Sequence, residues 1–277
     1  MIIDNHRCLN YNIIELNDKG KVDMGLIFDT HAHYDDNAFD NDRYELLDKL
    51  FAGEVCGIVN QGTTVETSRF SLELAHRYDK LYAAVGIHPE CADENSINEL
   101  KIIEKLCSDN KVAAIGEIGL DYYWDVPKEI QQRVFEAQLI LANELSLPVV
   151  IHDREAHGDV LDYIRKYRPK GIVHCFSGSR EMAAEVVRLG MYIGMGGVIT
   201  FKNARRSIEV IETIPLEALV LETDCPYLAP VPFRGKRNDS SMIRFCAEKI
   251  AEIRGMSTDE LLRITAENAQ RVYNINI

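Results

Sequence analysis

Eight short β-rich runs alternating with longer amphipathic segments predict an α/β domain whose parallel strands close into a (β/α)8 barrel. The length of 277 residues suits one such barrel, for which roughly 250 residues is usual. Several runs are apolar throughout, as strands buried on both faces are. Histidines and carboxylates recur at the downstream ends of the runs, the face on which barrel enzymes gather their active sites.

The first run is residues 26–28, Leu26-Ile27-Phe28, and it leads directly into Asp29-Thr30-His31-Ala32-His33. A helical segment at 40–52 separates it from the second run, residues 57–60. Segment 64–78 then precedes the third run, 81–87, which closes on Gly86-Ile87-His88-Pro89. After helix 97–108 comes the fourth run, 112–118, carrying Glu117 between Gly116 and Gly119. Helix 128–145 has apolar Val134, Ala137, Leu141 and Leu145, a three-to-four spacing that gives one buried stripe. The fifth run, 148–151, ends at His152, and the sixth, 171–175, contains His174, with helix 158–167 between them. Helix 180–189, the seventh run 191–199, helix 204–213 and the eighth run 219–221 follow, and Asp224 lies just beyond. Helical segments 239–254 and 258–273 complete the pattern. No linker, low-complexity tract or long charge run divides residues 24–277, which read as one domain. Residues 1–23 read as an N-terminal extension, either a hairpin built on Tyr11–Leu16 and Asn17-Asp18-Lys19-Gly20 or a poorly ordered tail.

A hydrophobic content of 46% and a charged content of 27% are those of an ordinary globular protein. The net charge of −13 provides no global basic footprint for nucleic acid, although divalent metals can supply positive charge where a phosphate sits. Seven cysteines without a C-x-x-C pair predict reduced thiols and a cytoplasmic protein. No apolar run approaches the ~20 residues of a bilayer span, and the first residues lack a signal-peptide layout.

Residues i and i+2 of a strand point the same way, so His31 and His33 can hold one metal ion together. Histidines satisfied by the backbone are the alternative. Asp29 either orients one imidazole or caps the loop. Glu117 is a carboxylate inside an apolar strand, costly to bury unless paired or metal-bound. Its two oxygens suit a bridge between two cations, and a salt bridge to a buried arginine is the other reading. His152 and His174, at the ends of adjacent runs, suit a second ion. Asp224 can ligate a metal and accept a proton from water, while Glu222 shares its face as a hydrogen-bond or ion-pair partner. His88 reads as a substrate contact or a loop anchor. Arg234, Lys236 and Arg237 form a local basic cluster, either solvated surface or a phosphate contact. Helical zinc-protease, P-loop and nucleophile-elbow motifs are absent from the sequence.

Phe28–Asp36, Gly86–Pro89, Ile115–Tyr123, Pro148–Arg154, Val173–Gly178, Glu222–Leu228 and Arg234–Asn238 together resemble the TatD family of metal-dependent hydrolases. The motifs run in order through nearly all of residues 24–277. The resemblance implies a TIM barrel of the amidohydrolase superfamily with two divalent metal ions, Mg, Mn or Zn. It implies deoxyribonuclease activity, a 3′-to-5′ exonuclease acting on single-stranded DNA or 3′ ends; separately from the resemblance, a monomer without a membrane partner is expected. It further implies that His31 and His33 hold one ion, His152 and His174 the other, Glu117 bridges them, and Asp224 is a ligand that also handles the proton. The extension at 1–23 departs from the family pattern, in which chains start close to the position of Met24.

The expected chemistry is attack of a metal-activated water on a phosphodiester, with Asp224 as proton acceptor and Arg234 and its neighbours steadying the phosphate. Two other readings remain open on the sequence. An amidohydrolase or esterase, such as a D-aminoacyl-tRNA deacylase, needs the same ligands, and a non-catalytic metal-binding module needs no substrate at all.

Overall fold

The computed structural model describes residues 26–276. Its elements in order are β1 (Ile27–Ala32), α1 (Arg43–Ala52), β2 (Val55–Gln61), α2 (Val65–Arg77), β3 (Leu81–Val85) and α3 (Ser96–Leu106). Next come β4 (Val112–Asp121), α4 (Lys128–Leu145), β5 (Val149–Arg154), α5 (His157–Tyr167), β6 (Gly171–Val173) and α6 (Arg180–Arg188). The chain continues through β7 (Tyr192–Met195), α7 (Arg205–Thr213), β8 (Leu219–Leu221), α8 (Ile243–Arg254) and α9 (Thr258–Tyr273). Strands β1 to β8 pair in sequence order, each parallel to the next.

The seam between β1 and β8 is closed mainly by the segment after β8. Ala32 bridges Cys225 in parallel. Asp224 N donates to His31 O at 2.9 Å, and His33 N donates to Cys225 O at 2.9 Å. The Thr30 hydroxyl adds a bond to Leu221 O at 3.0 Å. The result is the TIM barrel expected from the alternation of runs. Its seam is stitched by the same two stretches that carry His31, His33 and Asp224.

Local sequence explains where the helices begin and end. Thr64 caps α2 with a capping box completed by Thr67, while Ser179 and Ser257 cap α6 and α9 through their hydroxyls. Gly255 ends α8 in the left-handed region at φ 66°, where a residue without Cβ is favoured. Beneath the site, Val150, Ile172 and Val220 lie two residues before His152, His174 and Glu222, so each shares its face. They join one buried apolar layer with Phe28, and Ala266, Ala269 and Tyr273 of α9 pack against it. Tyr273 also donates its hydroxyl to Thr30 O at 2.8 Å, anchoring α9 to β1.

Several boundaries differ from the sequence expectations for identifiable reasons. Strands β1, β4 and β5 run on beyond their apolar cores to Ala32, Asp121 and Arg154, because polar residues aimed at one shared site continue the ladder. The seventh run stops at Met195 instead of 199, where Gly196 and Gly197 let the chain turn against the β8 loop. A Cβ on Gly197 would stand 1.9 Å from Leu228 O, so only glycine permits this approach. The sixth run ends at Val173, since Cys175 turns with φ 41°. A short 3-10 turn at Ser240–Met242 replaces the first residues expected for α8, and α1 begins at Arg43, three residues later than expected, after a 3-10 turn at Asn37–Phe39. Cys56, Cys91, Cys107, Cys175, Cys225 and Cys246 are free thiols. Among the described residues no helix is long and apolar enough to cross a membrane. The hairpin or tail expected for residues 1–23 lies outside the described residues.

Candidate metal centre

Six side chains from five strands or their downstream ends converge on one point at the C-terminal mouth of the barrel. His31 and Glu117 lie within β1 and β4, His152 within β5, and His33, His174 and Asp224 just past β1, β6 and β8. Glu117 is at the centre, with its side chain 4% exposed. Its Oε1 lies 2.9 Å from His152 Nδ1 and 2.9 Å from His174 Nε2. Its Oε2 lies 3.3 Å from His31 Nε2 and 3.4 Å from His33 Nε2. One carboxylate therefore divides its two oxygens between two histidine pairs. Asp224 Oδ1 joins the first pair, 3.6 Å from His31 and 3.4 Å from His33.

The ring nitrogens crowd one another as well. His31 Nε2 and His33 Nε2 are 3.1 Å apart, and His152 Nδ1 and His174 Nε2 are 3.1 Å apart. The His31 and His174 rings stack at 3.9 Å between centroids. Buried lone pairs at such distances need a proton or a cation between them. His31, His33 and Asp224, and likewise His31, Glu117 and His174, have donor atoms close enough to share one ion. This mixed nitrogen and oxygen donor set suits first-row transition metals and zinc, and its carboxylates also suit magnesium.

The electrostatics differ from ring to ring. Burial pushes the Glu117 carboxyl up, but the surrounding His174, His31, His88 and His152 rings outweigh it and hold the group well below the usual range. Asp224 behaves alike, with burial overcome by the His33 hydrogen bond and nearby imidazoles. Burial disfavours charge on His33 and His174, yet the carboxylates facing them raise both well above an ordinary histidine. Burial prevails at His31 and His88, whose basicity is lowered. The cluster thus holds protons on some rings in places a cation would compete for.

The supporting residues are placed more specifically than the sequence allowed. Asp29 touches no imidazole. Its Oδ1 accepts from His31 N at 3.2 Å and Thr223 N at 3.1 Å, and its Oδ2 accepts from the Thr223 and Ser240 hydroxyls at 2.6 and 2.7 Å. It straps β1 to the β8 loop through the backbone. Burial raises its carboxyl to about 7. Glu222 Oε1 accepts from Cys175 N at 2.6 Å and faces His174 Nδ1 at 3.7 Å, while its Oε2 is buried without a partner. His88 accepts from Glu90 N through Nδ1, which leaves Nε2 to carry the proton and face Glu117 Oε1 at 3.5 Å. His88 accordingly sits on the central carboxylate, among the inner residues of the cluster.

The sequence reading missed Asp121, whose Oδ2 lies 2.9 Å from His152 Nε2 and fixes which ring nitrogen faces Glu117. Its signal was available: Asp121 ends the same strand as Glu117 at an even spacing. Of the basic cluster, Arg237 is held by Asp42 in a two-pronged ion pair at 2.7 and 2.6 Å, so its fork is already occupied. Arg234 is exposed with its guanidinium 4.2 Å above the Phe201 ring, and Lys236 is exposed. Neither forms an ion pair among the described residues.

Comparison with known proteins places the chain in one family. Residues 28–274 match the family described as TatD related DNase. A metal-dependent hydrolase of Bacillus subtilis, YabD, is 44% identical over 255 residues, covering 91% of this chain and 100% of its own. The protein named 3′-5′ ssDNA/RNA exonuclease TatD from Salmonella typhimurium is 34% identical, with 90% of this chain and 99% of that one covered. The crystal structure of YJJV, a TatD homologue from Escherichia coli, superposes with a TM-score of 0.84 at 34% identity, covering 91% and 99% of the two chains.

Proposed function

The chain belongs to the TatD-related DNase family of metal-dependent hydrolases, and on that premise we propose that it is a 3′-to-5′ exonuclease hydrolysing phosphodiesters of single-stranded DNA. One observation carries the metal chemistry of this reading: Glu117 gives one oxygen to His31 and His33 and the other to His152 and His174. His31, His33, Asp224 and Glu117 would hold one divalent ion, and His152 and His174 would hold a second with the same Glu117 carboxylate, with Mg, Mn or Zn as the candidates. Bound there, such ions polarise a phosphoryl oxygen and make water a better nucleophile near neutral pH.

The remaining roles follow from the chain's own groups. The Asp224 side chain is 21% exposed against 4% for Glu117, so it is the carboxylate that an incoming water can reach and the proton acceptor. Asp121 sets the His152 ring, and His88 directs its Nε2 proton at Glu117. Asp29 holds the backbones of His31 and Thr223 in register so that Asp224 meets both histidines. Arg234 and Lys236, exposed beyond β8, offer positive charge to a substrate phosphate. The relative named as a single-strand DNA and RNA exonuclease supports the choice of phosphodiester over carbonyl substrates.

The choice is tested by offering metal-reloaded protein an end-labelled single-stranded oligonucleotide and, in parallel, an aminoacyl ester. Stepwise shortening from the 3′ end is the expected result. Turnover of the ester with an intact oligonucleotide would replace the proposal by the acyl-hydrolase reading.

A further inference from the structure

We propose that Tyr123, Trp124 and Arg154 form a stacking platform at the mouth of the site, which grips the bases of a single-stranded nucleic acid beside the end being cleaved. The inference rests on the phosphodiesterase reading and names how that site recognises its substrate. Large aromatic side chains seldom stand in water without a partner, yet Tyr123 is 57% exposed and Trp124 43% exposed, side by side in the loop leaving β4. Their rings meet edge to face at 5.5 Å. The Arg154 guanidinium, at the end of β5, lies 3.7 Å from the Tyr123 ring centroid. Asp121 and Arg154 are register partners in adjacent strands, so both halves of the platform start from the same rung.

That rung belongs to the metal centre. Tyr123 N donates to Asp121 Oδ1 at 2.9 Å, and Asp121 Oδ2 meets His152 at 2.9 Å. The platform is therefore fixed relative to the cluster by one carboxylate, and does not hang on a free loop. A second exposed aromatic, Tyr227, leaves the β8 side of the mouth at 56% exposure, three residues past Asp224. In a barrel of eight strands β4 and β8 stand opposite, so the mouth has an aromatic on each side.

The chemistry of the platform selects its occupant. Exposed π-faces beside a guanidinium, in a chain of net charge −13, match a ligand that alternates flat bases with anionic phosphates. Stacking of this kind is sequence-tolerant, because every base has a face, and a paired duplex hides those faces. A small acyl ester would leave the platform unused.

Trp124 is the one tryptophan of the chain, so its emission reports on the platform directly. Metal-stripped protein, which does not turn over, is titrated with a short oligothymidine and with an abasic oligomer carrying the same number of phosphates. KM for the oligothymidine is then measured on metal-loaded wild type, Tyr123→Ala and Tyr123→Phe. The expected results are quenching by the oligothymidine and much less by the abasic strand. Tyr123→Ala should raise KM by about tenfold while kcat barely moves, and Tyr123→Phe should restore it. Equal quenching by both strands, or cleavage by wild type with KM indifferent to Tyr123→Ala, would overturn the platform while leaving the nuclease intact. Wild type that cleaves no oligonucleotide would instead overturn the nuclease reading. Trp124 emission that follows protein concentration and ignores both strands would assign the patch to self-association and also overturn the proposal.

Discussion

Asp29 offers a sharp test of how the barrel seam holds the metal centre in place. The group accepts four hydrogen bonds, two from backbone amides and two from hydroxyls, and is fully buried. In Asp29→Ala the Thr223 hydroxyl can turn toward His31 O at 3.3 Å and the Ser240 hydroxyl toward Tyr34 at 2.8 Å. The amides of His31 and Thr223 have no such freedom. Each orphaned buried donor costs about 1–3 kcal/mol, so a loss of about 2–6 kcal/mol is expected for the two. Asp29→Asn keeps an oxygen for both amides and, neutral like the protonated carboxyl, should cost about 1 kcal/mol near pH ~4. The carboxyl adds a pH signature that the amide lacks. Burial raises it from 3.8 to about 7 in the fold, so the folded protein keeps a proton that the unfolded chain releases. Its stabilising contribution is full below pH ~4, falls as pH rises toward 7, and levels off above that, since stability drops wherever the native state binds more protons. At about 1.4 kcal/mol per unit, the fall is capped at about 4 kcal/mol. Urea unfolding of metal-free wild type and both variants between pH 4 and 8 measures all three quantities. An Asp29→Ala cost below about 1 kcal/mol near pH ~4, or a stability advantage of wild type over Asp29→Asn that grows with pH, would refute the strap.

Other expectations concern the ions and the space around them. The raised His33 and His174 rings hold protons that a cation must displace, so metal binding should release protons and weaken as pH falls; calorimetry in buffers of different ionisation enthalpy reads the release, and none would contradict the geometry. Asp121→Ala frees the His152 ring and should weaken metal binding by about 10–100-fold without unfolding the barrel, which metal titration and a melting curve separate. A Cβ on Gly194 would stand 2.4 Å from Glu222 Oε2, so Gly194→Ala should cost about 1–3 kcal/mol in chemical denaturation, and a neutral result would show that Glu222 can move aside freely. Because Asp42 already occupies the Arg237 fork, Arg237→Ala should change KM for an oligonucleotide less than Arg234→Ala does, and the reverse order would show that the ion pair opens for substrate.

Much of this was legible in the residues, and the parts that were not share a physical cause. Helices α4 and α9 have the bounds their periodicity suggested, because a continuous apolar stripe marks both ends. The metal cluster was readable because histidines and carboxylates at the downstream ends of buried strands have few other uses. Apolar runs failed as a guide where strands continue through polar residues, as β4 does to Asp121, or break at glycines, as β7 does before Gly196. Partnerships across the barrel were out of reach. Asp29 and Ser240 meet although 211 positions separate them, and Arg237 finds Asp42 across 195. No local pattern reports such pairs, so Asp29 read as a choice between orienting an imidazole and capping the loop, when its partners are two amides and two hydroxyls. His88 does anchor its loop through Glu90 N, as one of its two readings had it, and the additional contact with Glu117 was not legible because it joins residues well separated in sequence.

The measurement that bears most directly on the proposed activity uses chelator-stripped protein, an end-labelled single-stranded oligonucleotide, and Mg or Mn added back, beside Glu117→Ala. Metal-dependent stepwise shortening by wild type, reduced at least ~100-fold in the variant, is the expected result. Shortening that survives Glu117→Ala undiminished, or that needs no metal, would contradict a reaction centred on the carboxylate between the two histidine pairs.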